Sequence, residues 1–378
     1  MEQLIQHIFP QSIAQALCQT LIHSLWEGLL LALLTGLIIV LTRNSKAALR
    51  YRLLVAALML YTAVVSITLV LELNTAADKS SASATFNTTG RDNFFPVLVS
   101  RFNDVLKSAH EHAGMVSGIW LLVVVLQNIR LLLGFYTLER LKRVKVRPAE
   151  RVWRVKAENL ASELGIGQAV SLLESAIVKV PLVIGHLKPV ILIPVGLVNS
   201  LEPAQVEAIL LHELAHVKRN DYLVNILQTI LETLFFFNPA VLWLSWVIRR
   251  ERENCCDDVV ITHTRNQVGY AQALVHFEEY RLHSPRQAVA LTGTRSSMLD
   301  RLERIVAGKN RSLGKLELIV LGAILVLSTA FITASPRNTV RSLLKTPVPV
   351  VSGSTQKSLE AKKKAEAAER TRHREPSP

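Results

Sequence analysis

The chain has 378 residues, of which 50% are hydrophobic, with a mean hydropathy of +0.30 and a formal net charge of +13. This composition is unusual for a soluble protein and favours a multi-pass membrane protein. The basic residues gather in short loops and in the tail and form no stripe with aromatic residues, so we expect no direct nucleic-acid binding. Only three cysteines occur, two of them adjacent, which excludes a disulfide framework.

Two apolar runs at residues 18–41 and 53–73 are each long enough to cross a bilayer. The first lacks a basic leader region and a small-residue cleavage site, so it is predicted to be a retained helix. The loop between the runs is basic, which by the positive-inside rule places it in the cytoplasm and the N-terminus outside. The basic residues of this loop are Arg43, Lys46, Arg50 and Arg52.

A third apolar run at 114–136 completes a predicted region of three transmembrane helices, residues 1–136. The polar segment 74–113 before it is predicted to be a short extracytoplasmic loop, too short for a ligand-binding domain. Basic residues from 140 to 147 mark the cytoplasmic end of the third helix. Glu27 and Arg130 lie within predicted spans and are functional candidates, although packing against polar groups is the favoured interpretation.

Residues 137–309 are predicted to form a cytosol-facing domain. An amphipathic helix is predicted near 149–163, followed by strands at 169–173, 179–184 and 189–194. The last two flank a turn at 185–189 and would form a hairpin. Such a hairpin is either a platform that pairs with an extended substrate or an ordinary supporting element.

A helix is predicted to follow, capped by Ser200, with Pro203 in its first turn, and ending at about Asp221. It carries His212 and His216, which at four residues apart share one helix face.

Neutral imidazoles at this spacing suit zinc, and Glu213 lies close enough to accept a proton from a zinc-bound water. Two histidines at helical spacing also occur without a metal. The surrounding leucines and alanines nevertheless predict a buried helix, where imidazoles and a carboxylate are unfavourable unless compensated. We therefore interpret His212, Glu213 and His216 as a catalytic zinc motif.

The apolar run 222–248 is long enough to cross a membrane, but crossing would separate the histidines from the carboxylates that follow at 249–258. A break at Asn238–Pro239 would instead give two half-depth helices in a membrane-associated hairpin. The hairpin would bring one of those carboxylates back to the histidines as a third ligand.

Three stretches carry a family resemblance: LLHELAHVKRND, FFFNPAVLWLSWVIRRERENCCDDVV and GHLKPVILIP. H-E-x-x-H followed by E-x-x-x-D resembles the gluzincin metalloproteases, and more narrowly the BlaR/MecR antibiotic-sensor proteases of peptidase family M56, over the first three apolar segments and on to about residue 335. The resemblance implies that Glu253 is the third zinc ligand and that Asp257 orients a ligand histidine. Glu251 misses the four-residue step to Asp257 and is the poorer candidate. In the family, Cys255 and Cys256 lie where this helix packs, so they are interpreted as structural thiols.

The fold implied is a polytopic α-helical membrane protein with a cytosol-facing α+β gluzincin zinc-protease domain. A fourth transmembrane helix is predicted within 310–335, at Leu316–Ala334, followed by a disordered basic tail at 336–378. Antibiotic-sensing relatives carry a penicillin-binding domain at this place. We expect this chain to lack one, which puts β-lactam sensing in doubt.

The function predicted from the resemblance is a Zn²⁺-dependent endopeptidase of the bacterial inner membrane that cleaves a cytosolic BlaI/MecI-like transcriptional repressor. Lipid is the other expected partner, and homodimerisation stays open. One alternative is a quality-control or CAAX-type protease; another is a non-proteolytic signalling scaffold, which would not need Glu213. Candidate donors to the oxyanion are Tyr270, His276 and Tyr280.

Overall fold

The computed structural model describes residues 10–78, 111–185, 188–283, 295–308, 310 and 312–334. The chain divides into two compact units, Met1–Val326 and Leu327–Pro378, and the contacts reported below lie within the first. The helices are α1 Gln11–Leu41, α2 Ala47–Asp78, α3 Ala113–Leu141, α4 Arg151–Glu163, α5 Leu197–Ser200, α6 Pro203–Lys218, α7 Asp221–Leu234, α8 Pro239–Thr264, α9 Gln267–His283, α10 Arg295–Ala307 and α11 Lys315–Ala334. The strands are β1 Val146–Pro148, β2 Ser171–Ser175, β3 Leu182–Ile184 and β4 Val190–Pro194.

Within the described residues, three helices are long and apolar enough to cross a membrane: Gln11–Leu41, Ala47–Thr75 and Ala113–Leu141. Each extends beyond the apolar run that predicted it. Large apolar side chains cover their outer faces, as expected of helices surrounded by lipid. Examples are Leu30, Leu37, Leu60, Ile67, Leu122 and Leu132. Several polar side chains inside these helices donate to a carbonyl one turn earlier, as Thr20 does to Ala16 at 2.8 Å. Glu27 of α1 accepts a hydrogen bond from the Thr68 hydroxyl of α2 at 2.7 Å.

Three predicted segments lie wholly or partly outside the described residues or remain predictions: the loop 74–113, the fourth span and the tail 336–378. The predicted loop 74–113 begins as helix, because α2 continues to Asp78, and residues 79–110 lie outside the described residues. Helix α11 coincides with the predicted fourth span, and its crossing of the membrane stays a prediction. The tail 336–378 lies outside the described residues. The limits of the domain predicted at 137–309 likewise stay a prediction.

The four strands form one sheet in the order β1-β2-β4-β3. β1 and β2 are antiparallel, β2 and β4 are parallel, and β3 pairs with β4 as the antiparallel hairpin predicted from the sequence, with Leu182 opposite Leu192. The short strand β1 was not predicted. Ile191 and Ile193 of β4 point into a core shared with Leu160 of α4 and Leu211 of α6. β3 is left as an edge strand beside α6.

Helix α6 begins differently from the prediction. Its N-cap is Glu202, whose backbone N–H donates to the Gln205 side chain at 3.2 Å, and Pro203 occupies the first turn. Ser200 instead donates its hydroxyl to the Gly196 carbonyl within the short helix α5, so the prediction that Ser200 caps the metal-binding helix is wrong. Glu202 directly precedes Pro203 and so occupies the capping position, next to the first-turn N–H groups that have no partner within the helix.

The break predicted at Asn238–Pro239 is confirmed: α7 ends at Leu234 and α8 begins at Pro239. The Asn238 side chain accepts hydrogen bonds from the backbone N–H groups of Ala240 and Val241, at 3.0 and 3.4 Å, and so caps α8. Its amide nitrogen donates to the Ser24 carbonyl of α1, at 2.8 Å, and to the Tyr61 hydroxyl of α2, at 3.1 Å. The tip of the hairpin therefore lies against the middle of the first two membrane-spanning candidates.

Helix α8 joins two hydrophobic cores. Its first half places Val241, Leu244 and Ile248 in a core with residues of α1 and α2, including Leu54. Its second half packs on α6 and places Val260 in the core of the sheet region. One continuous helix of 26 residues therefore links the membrane-spanning candidates to the histidine-bearing helix.

A buried ion pair fixes α2 against α8 where the two cores meet. Arg50 Nε lies 3.4 Å from Glu251 Oε1, and both side chains are 0% exposed. Asn254 donates to the other oxygen of Glu251 at 3.0 Å, and Arg250 lies 3.4 Å from the first. A buried pair of this kind specifies one alignment of the helices, because any shift leaves a charge without its partner.

Replacing Arg50 alone tests this alignment. Arg50→Met should lower the free energy of unfolding by about 3 kcal/mol, the low end for a broken buried pair because Arg250 still neighbours Glu251. The double variant Arg50→Met/Glu251→Leu should recover most of the loss, since the two fully buried charges are removed together. Denaturant unfolding of the purified protein in mild detergent measures the loss, with the exposed Arg52→Met as a control. Equal stability of Arg50→Met and Arg52→Met would contradict a buried Arg50–Glu251 pair.

Candidate metal centre

The structure brings together the two histidines of α6 and a glutamate of α8. His212 and His216 lie on one face of α6, with ring centroids 5.0 Å apart. Glu253 approaches both rings from α8: its Oε2 lies 3.4 Å from His212 Nε2, and its Oε1 lies 3.9 Å from His216 Nε2. One ligand atom from each of the three residues lies within 4.8 Å of the others.

Behind His212, a buried acid holds the far nitrogen of the ring. Asp257 Oδ1 lies 3.3 Å from His212 Nδ1 and accepts a hydrogen bond from the Tyr270 hydroxyl at 2.7 Å. The Tyr270 oxygen is 3.1 Å from the same Nδ1. Because Tyr270 gives its proton to Asp257 and a carboxylate only accepts, the proton between ring and acid belongs to Nδ1. Nε2 therefore faces Glu253.

Arg301 of α10 completes this network with a bidentate pair. Its Nη2 and Nε donate to the two oxygens of Asp257 at 2.6 and 3.0 Å, and its Nη1 lies 3.8 Å from Glu253. Arg301 was not predicted from the sequence, because it stands 44 residues after Asp257 and no spacing rule connects the two. A bidentate guanidinium fixes the plane of the carboxylate and thereby the ring that the carboxylate holds.

His216 is held in the same way by Asp221, whose Oδ2 accepts from His216 Nδ1 at 2.8 Å. This contact depends on a correction to the predicted helix end. α6 stops at Lys218, and Asn220 adopts the left-handed conformation, with φ 54°, which asparagine tolerates better than most residues. The chain turns there and returns Asp221 to the last turn of α6. The sequence analysis placed Asp221 only as a helix end and missed this role.

Charges around the centre shift its titrating groups strongly. Burial by itself would lower the pKa of His212, but hydrogen bonds with Asp257 and Glu253 outweigh burial and raise it to about 9. Burial by itself would raise the pKa values of Glu253 and Asp257. The His212 hydrogen bond, the neighbouring His216 ring and the Arg301 guanidinium hold the pKa of Glu253 well below its ordinary value. The Arg301 guanidinium does the same for the pKa of Asp257. Both acids are thus carboxylates at neutral pH.

Glu213 lies on the cavity side of the centre. It lines a cavity of about 700 Å³ together with the two histidines, Glu253 and the edge strand β3. Apolar side chains from α6, α9 and α10 form another part of the wall: Ile209, Leu274, Phe277 and Met298. The cavity is large enough for several side chains of an extended peptide.

The three residues considered as oxyanion donors lie in different places. The Tyr270 hydroxyl is occupied between His212 Nδ1 and Asp257, on the side of the ring away from Nε2. His276 bonds Gln205 at the start of α6, at 3.0 Å, and Tyr280 donates to the Val195 carbonyl at 3.2 Å. His276 and Tyr280 do not line the cavity, whereas Tyr270 does line it but directs its hydroxyl at Asp257.

A second group of potential metal ligands consists of His216, Asp221 and Cys256. It shares His216 with the first group and uses its Nδ1, the atom that donates to Asp221. Cys256 is 0% exposed, and burial raises the pKa of its thiol well above the ordinary value. Burial likewise raises the pKa of Cys255, to about 11. We interpret this group as the support of His216, and both cysteines as packed thiols.

The first group fits a zinc ion by its chemistry. Each histidine has one nitrogen bonded to a carboxylate behind it, which leaves Nε2 to face the other histidine and Glu253. Two imidazoles and a carboxylate with such outer partners are the donor set of catalytic zinc sites with an open fourth position. Glu251 is excluded from this set because it is bound to Arg50 on another face of α8.

Comparison with known proteins gives one family and a small set of relatives. Residues 13–305 match the family described as BlaR1 peptidase M56. Over 99 residues the chain is 34% identical to the regulatory protein BlaR1 of Bacillus licheniformis, which is 26% of this chain and 16% of the relative. Over 97 residues it is 31% identical to the methicillin resistance mecR1 protein of Staphylococcus aureus, which is 25% of this chain and 17% of the relative. The matches thus cover less than a fifth of each relative's length.

Proposed function

The chain belongs to the BlaR1 peptidase M56 family, and from that premise we propose that it is a membrane-embedded zinc endopeptidase acting in signal transduction. The observation that carries the proposal is the convergence of His212, His216 and Glu253 with Glu213 in one cavity. A purely structural metal site would need three or four ligands but no free carboxylate beside them. Glu213 provides that carboxylate.

His212, His216 and Glu253 would hold the ion, oriented by Asp257 and Asp221 behind the two rings. When bound, zinc supplies Lewis acidity to a water molecule and to the scissile carbonyl. Glu213 acts as the general base that accepts the proton of the attacking water and then returns it to the leaving amine.

The proposed substrate is a polypeptide bound in extended form. β3 is an edge strand of the sheet, and residues from Val180 to Val183 line the cavity beside the histidines. An edge strand offers unpaired backbone groups to an extended chain, which supports its interpretation as a substrate platform. The relatives carry the names of regulatory and resistance proteins. We propose a cytosolic transcriptional repressor of the BlaI/MecI type as the target.

The proposed location is the bacterial inner membrane with the centre facing the cytosol. Three apolar helices support a membrane protein, and the basic residues between α1 and α2 favour a cytosolic loop. The α7–α8 hairpin would enter the membrane from that side and return, since its tip contacts the middle of α1 and α2 while Glu253 reaches α6. The centre would then lie near the inner membrane surface.

We expect one zinc ion per purified chain and its loss in Glu253→Ala, because two histidines alone do not complete the donor set. Elemental analysis after dialysis measures the stoichiometry. Asp258→Ala is the matched control, since this acid follows on the same helix but pairs with Arg304 at 2.7 Å. Full zinc content in Glu253→Ala would show that Glu253 is not a ligand.

Glu213→Gln should retain zinc and the fold yet lose proteolysis, because the amide keeps the size of the side chain but cannot accept a proton. The rate of substrate cleavage should fall roughly a hundredfold or more. Glu207→Gln on the same helix is the control, since Glu207 pairs with Lys156 at 2.8 Å outside the cavity. If cells with Glu213→Gln switch on the downstream genes as the wild type does, the protein signals by contact and is not acting as a protease.

Membrane topology gives an independent test through the basic loops. Single cysteines introduced at positions 80 and 150 should be labelled by a membrane-impermeant maleimide from the outside and from the inside, respectively. Cys18, Cys255 and Cys256 are buried and give little background. The reverse labelling pattern would place the centre in the wrong compartment for a cytosolic repressor.

A further inference from the structure

The first turns of α2 reach the support of His216. The Tyr51 hydroxyl donates to Asp221 Oδ1 at 3.4 Å, across 170 residues of sequence, and the Tyr51 side chain is 8% exposed. The other oxygen of the same carboxylate accepts from His216 Nδ1 at 2.8 Å. A tyrosine of a membrane-spanning candidate therefore contacts Asp221, the residue that holds the proposed zinc ligand His216.

The two oxygens of Asp221 have separate partners. Oδ1 accepts from Tyr51 and from Arg219 Nε, at 3.4 and 3.3 Å, while Oδ2 faces His216. The Arg219 guanidinium also lies over the Tyr51 ring, 4.6 Å from its centroid, and so holds ring and carboxylate together. A carboxylate held at one oxygen cannot rotate freely, and its other oxygen stays directed at the imidazole.

The position of Tyr51 is itself fixed by its neighbour. Arg50 pairs with Glu251, two residues before Glu253 on α8, and both side chains are fully buried. Consecutive residues of α2 thus contact α7, through Asp221, and α8, through Glu251. This arrangement places α7 and α8 relative to one membrane-spanning candidate.

We propose that Tyr51 is a positioning residue of the metal centre, which acts through Asp221 to orient His216. The inference rests on the proposed zinc site and names a residue of α2 that sets its geometry. Tyr51 does not touch substrate or metal. Its hydroxyl restricts the rotation of Asp221, and the orientation of the His216 ring follows from that restriction.

Tyr51→Phe isolates this hydroxyl, because phenylalanine keeps the ring that packs under Arg219. We expect zinc affinity to fall by about threefold to tenfold, less than the roughly 10- to 100-fold loss typical when a group in direct contact with the ligand is removed. Competition with a chelator measures the zinc affinity of the full-length protein in detergent. Cobalt substitution should show a changed visible absorption spectrum, which reports ligand geometry rather than stability.

Tyr61→Phe is the matched control. Tyr61 is a buried tyrosine of the same helix whose hydroxyl contacts Ser24 and Asn238 at the hairpin tip. We expect it to keep the zinc affinity and cobalt spectrum of the wild type. Equal zinc affinity and spectrum in Tyr51→Phe and in the wild type would overturn the proposal, and so would an equal loss in Tyr51→Phe and Tyr61→Phe.

A double-mutant cycle tests the route through Asp221. In an Asp221→Asn background, Tyr51→Phe should have no further effect on zinc affinity, because the carboxylate that it orients is gone. An undiminished effect in that background would mean that Tyr51 acts by another route. If Asp221→Asn does not fold, the comparison of Tyr51→Phe with Tyr61→Phe still decides. A wild-type protein that binds no zinc would contradict the proposed function as well, whereas normal zinc binding without a Tyr51 effect contradicts this inference alone.

Discussion

The orientation of two imidazole rings by two buried acids is the constraint on which the rest of this structure depends. Asp257 behind His212 and Asp221 behind His216 each accept a hydrogen bond from Nδ1, so both Nε2 atoms face Glu253. Asp257 can do this only if α8 lies along α6. Asp221 can do it only if α6 ends early and the chain turns at Asn220. The helix boundaries near the centre therefore follow from the hydrogen bonds of the histidines.

The same requirement determines the path of α7 and α8. Their apolar segment is long enough to cross, yet α8 must bring Glu253 back to the helix that carries His212. The turn at Asn238 resolves the conflict. The Asn238 side chain accepts a hydrogen bond from a backbone N–H at the start of α8 and donates one to a backbone carbonyl of α1. A buried hydrogen bond from Gln228 to the Ser245 carbonyl, at 2.8 Å, ties the two helices of the hairpin together. The hairpin is thus held by polar contacts inside an apolar core, where their loss would be most unfavourable.

Buried charge in this protein is concentrated between helices. Arg50 with Glu251 joins α2 to α8, and Arg301 with Asp257 joins α10 to α8. Pairs of this kind contribute little net stability, because desolvation offsets their attraction. Their effect is to make one alignment of the paired helices lower in free energy than alignments in which a charge loses its partner. That alignment holds the ring nitrogens of His212 and His216 at 3.4 and 3.9 Å from the Glu253 carboxylate.

The sequence by itself determined the long helices, the hairpin break and the placement of two histidines on one helix face. A spacing of four places His212 and His216 on one helix face whatever surrounds them, and a proline stops a helix through its own covalent structure. Three long apolar runs predicted three of the helices because lipid-facing length depends on composition alone. The third ligand candidate, Glu253, came from resemblance to a family, since local rules do not distinguish it from Glu251. Only the tertiary structure decided between these two acids, by pairing Glu251 with Arg50 and directing Glu253 at the histidines. Only the tertiary structure brings Asp221, Arg301 and Tyr51 to the centre, because their positions depend on contacts between segments that are distant in sequence or reversed by a turn. Such contacts have no periodicity in the chain, and they form only when the helices pack.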